Sequence, residues 1–226
     1  IPDHLPDKLK ALIAQYPPGV LQFEVGIQSF NETVQKLISR RQDNVQTEAN
    51  LRWLINESNA HLHTDLIFGL PGETLDSFAK GFDRLMDIGP QEIQLGILKR
   101  LRGTPISRHT KAFEMVYDEQ PPYVVRQTKD LDAETLQRFT RMAKYWDLVA
   151  NSGRFKKTLP LLLQSQASKN SPFWAFMYFS DYLWQTSGKT YGLTPEALVD
   201  AAFDYLSLVE GLSQNDVRAS LLQDYL

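Results

Sequence analysis

Residues 23–43, FEVGIQSFNETVQKLISRRQD, read as a strand, a turn and a helix. The strand ends in the polar Gln28, and the helix it launches carries Arg40 and Arg41. A second chemical stretch is His61-Leu62-His63 with Asp65. Side chains alternate along a strand, so these three potential metal ligands share one face. A third is Gly69-Leu70-Pro71-Gly72-Glu73-Thr74. It reads as a tight strand-to-helix turn in which glycine permits close backbone approach and Glu73 or Thr74 starts the helix.

The metal reading makes a hydrolase using His61, His63 and Asp65 an alternative. Position counts against it, because the two histidines stand at the entrance of their strand and barrel active sites form at the carboxyl ends. The expected metal ligand set is therefore none. The chain has no Cys, which excludes thiol catalysis, disulfides and any zinc or iron–sulfur site built on thiolates of this chain. It has no Gly-x-Gly-x-x-Gly, P-loop, Gly-x-Ser-x-Gly or His-Glu-x-x-His pattern.

Elements must position these groups, and the composition allows them: 226 residues, 42% hydrophobic and 23% charged, is ordinary globular chemistry. A net charge of −3 gives no indication of a nucleic-acid partner. No apolar run approaches the ~20 residues of a membrane span, so a cytoplasmic protein with no membrane partner is expected. The first half alternates helix and strand, with strands expected near 21–28, 62–69 and 92–98. Helices are expected near 6–15, 31–41, 46–58 and 74–87. Such alternation predicts parallel βαβ units. Each strand has one apolar face, such as Phe23, Val25 and Ile27. The opposite faces carry Glu24, Gly26 and Gln28, then His63, Asp65 and Ile67, then Glu92, Gln94, Gly96 and Leu98. Burying Glu24, Asp65 and Glu92 in a dry core would cost on the order of several kcal/mol per unpaired charge, so the polar face should line a barrel lumen. Three strands cannot close an eight-stranded barrel of ~250 residues. The fold class expected is α/β, a partial TIM-type barrel of three parallel strands with helices, followed by an all-α domain. The domains expected are 1–110 and 111–226. After a helix near 106–115, helices should dominate, with the aromatic run 173–184 as their core. An open first strand is a bare edge, through which a dimer could form.

EVGIQSFNETVQKLISR followed by TDLIFGLPGET resembles the fourth and fifth strands of the radical S-adenosylmethionine (SAM) barrel. The similarity is greatest to the branch of oxygen-independent coproporphyrinogen oxidases and cobalamin-binding radical enzymes. It extends over about residues 20–105, while 107–226 resembles a helical domain of unknown function in cobalamin-linked members. The resemblance implies that Gln28 and Arg40 hold the amino-acid end of SAM and that Asp65 accepts from its ribose hydroxyls. It also implies that the backbone at Ile97, Leu98 and Lys99 flanks the adenine; Glu24 shares this cofactor-binding face without an assigned role. The family's Cys-x-x-x-Cys-x-x-Cys, which holds a four-iron four-sulfur (4Fe-4S) cluster, has no counterpart here. The expectation is therefore a fragment with no catalytic residue of its own, completed by an upstream part of the same protein that reductively cleaves SAM to a 5′-deoxyadenosyl radical. Cobalamin would be a further cofactor of that parent. The alternative is a complete, non-catalytic SAM- or nucleotide-binding module.

Overall fold

The computed structural model describes residues 2–225, which divide into two units, Ile1–Leu136 and Gln137–Leu226. The first unit begins with α1 (Asp7–Ile13), then runs β1 (Gln22–Gln28), α2 (Glu32–Leu37), α3 (Asn44–Glu57), β2 (His61–Phe68), α4 (Leu75–Ile88) and β3 (Glu92–Ile97). The three strands form one sheet in the order β1-β2-β3, parallel throughout. This is the α/β arrangement that the alternating pattern predicts, with strand ends displaced by one residue or less.

Local chemistry explains the boundaries. The Asn31 carboxamide oxygen accepts from the Thr33 and Val34 amides and starts α2. Asp43 does the same for α3 through Val45 and Gln46, and Thr74 caps α4 through Ser77. Each cap satisfies amides that the helix itself leaves without partners. Gly89, at φ 81°, ends α4 in the left-handed region. The apolar face of the sheet packs beneath helices: Leu62, Leu66 and Phe68 are buried with Leu51 and Leu54 of α3 and with Phe78, Phe82 and Leu85 of α4. The Phe68 and Phe78 rings meet edge to face, 5.0 Å between centroids.

Two expected helices differ. The helix anticipated over 31–41 closes at Leu37 because Ser39 turns left-handed, at φ 59°. Arg40 therefore follows the helix and does not ride on it. The helix anticipated over 106–115 is a single 3₁₀ turn, Pro105–His109. Beyond it the chain forms a short antiparallel hairpin of β4 (Val116–Tyr117) and β5 (Val125–Gln127), which no apolar periodicity announced. The hairpin docks on the end of β3, where the Val125 amide donates to the Leu98 carbonyl and Lys99 bridges to Val124.

The second unit is helical. α5 (Ala133–Trp146) enters it and ends in a π turn, Asp147–Asn151. Then come α6 (Leu159–Leu162), α7 (Pro172–Ser187), α8 (Pro195–Asp204) and α9 (Gln214–Tyr225). Phe173, Phe176 and Phe179 are fully buried. The Phe176 ring stands 4.9 Å from Trp146, and Phe179 stands 5.3 Å from Tyr205. The aromatic run is thus a helix–helix core.

A buried polar network ties the first strand to the second crossover. Glu73 is only 1% exposed. It accepts from the Ser29 hydroxyl in a short bond, while its Oε1 has no partner. Ser29 in turn accepts from the Asn31 amide, and Asn31 donates to Ser77. Gln35 donates to the Ser29 carbonyl and to Asn44, which donates to the Phe30 carbonyl. Burial pushes the Glu73 carboxyl above its ordinary pKa, against the hydrogen bonds from Ser29, Ser77 and Asn31.

Two stability predictions follow from these contacts. Gly69 lies at φ +86°, and a Cβ there would sit 2.5 Å from Val125 Cγ1. Gly69→Ala should cost about 2–4 kcal/mol through left-handed strain and overpacking, read as a lowered denaturant midpoint. A raised folded-state pKa means that ionised Glu73 is disfavoured in the folded protein. Its contribution to stability is greatest below the ordinary value of 4.5 and falls as pH rises through the raised value. Glu73→Gln removes that fall. Urea unfolding between about pH 4 and about pH 8 should show the variant gaining on the native protein as pH increases; a pH-independent difference would contradict this reading.

Candidate functional site

Register builds the polar face of the sheet in rows. Glu24, His63 and Glu92 are successive partners across the three strands, and Gly26, Asp65 and Gln94 form the next row. The parallel register slips between Gly26 and Gln28, and Gln28 adopts φ 68°. This bulge turns the end of β1 over the end of β2. The Ile27 amide donates to Asp65 Oδ1 at 3.0 Å, and the Gln28 carboxamide donates to Asp65 Oδ2 at 3.2 Å.

Gly26 makes room for the group. A Cβ on it would stand 3.2 Å from Asp65 Oδ1, 3.4 Å from Gln28 Nε2 and 3.8 Å from Arg40 Nη2. Arg40 reaches back from beyond α2. It donates through Nη2 to the Gly26 carbonyl in a short bond, and through Nε to Gln42 at 2.8 Å. The turn that aims it is held from outside: Arg108 donates to the Leu37 carbonyl at 2.9 Å and to the Ser39 hydroxyl at 2.7 Å.

The electrostatics are those of two half-buried opposite charges near one another, without a direct bond between them. Burial pushes the Asp65 carboxyl up, opposed by the Ile27 amide and by Arg40, with Glu24 adding an upward push. Burial draws the Arg40 guanidinium below its ordinary value, opposed by Asp65 and Asp3. Each charge offsets part of the other's desolvation.

A cleft of about 450 Å³ opens at the carboxyl ends of the strands. Gln28, Arg40, Ile67, Leu98, Lys99 and Arg108 are among its lining residues. The structure brings Gln28, Arg40 and Leu98 together on this cleft and sets Asp65 directly behind Gln28. Ile97 ends β3 beside them and is not part of the lining. Glu24 lies away from the cleft: it lines a separate groove of about 250 Å³ with Pro2, His4 and Leu9. Asp65 also lies apart from the two histidines. Glu92 stands beside them instead, 3.1 Å from His61 and 3.3 Å from His63. The sequence reading missed Arg108. Its signal is weak, a basic residue five positions after Gly103 in an irregular segment.

Comparison with known proteins adds relatives. The chain is 32% identical over 90 residues to anaerobilin synthase of Escherichia coli O157:H7, covering 40% of this chain and 20% of that enzyme. It is 32% identical over 88 residues to the oxygen-independent coproporphyrinogen III oxidase of Cereibacter sphaeroides, covering 39% and 19%. A tRNA-2-methylthio-N(6)-dimethylallyladenosine synthase of Thermus thermophilus is 24% identical over 170 residues, 74% of this chain and 33% of that one. Among solved structures, the coproporphyrinogen III oxidase of Escherichia coli, described as a radical SAM enzyme, matches with TM-score 0.46 and 23% identity. That match covers 65% of this chain and 30% of the other. The aligned part of this chain spans about a fifth of the first curated relatives. A family model described as "Protein of unknown function (DUF4080)" matches residues 111–226, half of the chain, and the chain belongs to that family.

Proposed function

We propose that this chain is the carboxyl-terminal part of a radical SAM enzyme and that its carboxyl-end cleft holds SAM. The observation that carries the proposal is the joining of Gln28, Asp65 and Arg40 at the ends of β1 and β2. The residues fit the cofactor. SAM presents a carboxylate, which suits the half-buried guanidinium of Arg40, and a ribose diol, which suits a carboxylate acceptor such as Asp65. Both Asp65 oxygens already accept one bond, and each has a further lone pair for a hydroxyl. A cleft of about 450 Å³ lies within the size range of cofactor sites. The apolar Ile67, Leu70 and Leu98 beside it suit a flat base.

The division of labour follows from the chain's own groups. Arg40 binds and orients the carboxylate. Asp65 fixes Gln28 and Ile27 while presenting acceptors, and Arg108 holds the turn that aims Arg40. SAM, when bound, supplies a carbon-centred radical in this superfamily. No residue here fits a 4Fe-4S cluster, because the chain has no Cys, and its ligands belong to a preceding part of the protein in this proposal. In that arrangement β1 takes up the preceding barrel strand on its open edge, residues 1–110 form the barrel part and 111–226 an accessory domain. A cobalamin-linked parent is proposed on the resemblance alone.

Two measurements test the reading. The gene on the 5′ side of the Ile1 codon should encode a Cys-x-x-x-Cys-x-x-Cys motif; an initiator codon immediately before Ile1 would count against a parent enzyme. In the protein encoded by the whole gene, Arg40→Ala and Asp65→Ala should each weaken SAM binding by about tenfold or more in equilibrium dialysis, as expected for loss of a charged hydrogen bond. Arg41→Ala should bind normally. Unchanged affinity in both site variants would remove the assignment.

A further inference from the structure

We infer that His61, His63 and Glu92 form a binding site for one divalent ion of the zinc class, at the end of the sheet opposite the cleft. The site has parts from two strands. His61 and His63 share a face because they are two apart on β2. Glu92, the first residue of β3, is the register partner of His63. Among the described residues, these three bring one ligand atom each within 4.8 Å of one another.

The separations suit a shared ion. Bonds of about 2.0–2.1 Å at tetrahedral angles put neighbouring ligand atoms about 3.3 Å apart. Each imidazole lies at such a distance from one oxygen of the same carboxylate: 3.1 Å from His61 Nε2 to Glu92 Oε1 and 3.3 Å from His63 Nδ1 to Glu92 Oε2. The two rings meet edge to face at 4.8 Å between centroids, and one nitrogen of each lies within 4.8 Å of the other and of a Glu92 oxygen. The donor set, two imidazoles and one carboxylate, is that of zinc sites which keep a fourth position for water. His61 is 46% exposed, which gives that position access to solvent.

An outer contact is also present. His63 Nε2 lies 2.8 Å from the Gln22 carboxamide. With Nδ1 on an ion, Nε2 carries the proton, and a half-turn of the amide makes Gln22 the acceptor. Such a contact orients a metal-bound imidazole and fixes its tautomer. The Thr64 hydroxyl donates to the Glu92 carbonyl at 3.1 Å and anchors the start of β3 against β2. Asp65, the third ligand of the sequence reading, takes no part: its oxygens are engaged by Ile27 and Gln28.

The test is a cobalt titration of the 226-residue chain near neutral pH. One equivalent of Co²⁺ should bind and give the intense visible bands of a four- or five-coordinate ion, and Zn²⁺ should displace it. His61→Ala, His63→Ala and Glu92→Gln should each weaken binding at least tenfold, while His4→Ala and His109→Ala, which remove the other two histidines, should not. To guard against variants that fail to fold, imidazole NMR signals of the unmodified chain are followed during addition of Zn²⁺. Two of the four histidines should shift together and saturate at one equivalent. No saturable binding, binding that survives the loss of His61 and Glu92, or equal shifts in all four histidines would overturn the site.

Discussion

A carboxylate half-removed from water must find donors or lose its charge. Asp65 meets this demand with one backbone amide and one side-chain amide, while the nearby Arg40 guanidinium adds a favourable charge, and each of the three shapes the chain around it. The Ile27 amide is free to donate because the register of β1 slips at that point. Gln28 bends into positive φ and puts its carboxamide on the second oxygen. Arg40 stays near only because Ser39 reverses the chain beyond α2. Gly26 is the space in which the three side chains meet, and a methyl group there would crowd all of them.

This arrangement would slide if β1 and the second crossover were independent. Glu73 prevents that. It is buried and ionisable, an expensive group to place in a core, yet it joins the turn after β2 to Ser29, the residue following β1. An apolar residue would be cheaper for stability, but it could not hold the Ser29 hydroxyl or, through it, the Asn31 amide. The Gly-Leu-Pro-Gly-Glu-Thr turn therefore does more than reverse the chain. Its glutamate sets where β1 ends, and so where Gln28 points.

The strands and their two faces were legible because period-two alternation is written directly in residue type. The start of α4 was legible, as Glu73 or Thr74, for a local reason too: the Thr74 cap meets an amide only three positions away. What failed were features decided at long range. Helix α2 has residues able to continue past Leu37, but the contacts of Arg108 and His109 with the Leu37 carbonyl favour a reversal at Ser39. The β4–β5 hairpin has too few residues to show a pattern. Glu73 reads as a helix start, since nothing nearby in sequence reveals that Ser29 will cover it. Of the residues expected in the site, Gln28, Arg40 and Asp65 converge, Leu98 joins them on the cleft, and Glu24 turns to another groove. The position of Glu24 depends on which row of the register it occupies, and register is a tertiary fact.

The two ends of the polar face differ in what they can hold. At the carboxyl end the Arg40 guanidinium and the Asp65 carboxylate lie near one another, and in the proposed reading they take a carboxylate and a ribose diol of one ligand. At the amino end His61, His63 and Glu92 present two imidazoles and a carboxylate, with Glu24 in the same row. The imbalance is anionic and the donors are convergent, which is the condition for a cation. The next row, Gly26, Asp65 and Gln94, adjoins this one, so the two chemistries follow one another along one face of the sheet. In the two proposals one face of a single sheet holds SAM, through its carboxylate and ribose, at one end and a metal ion at the other.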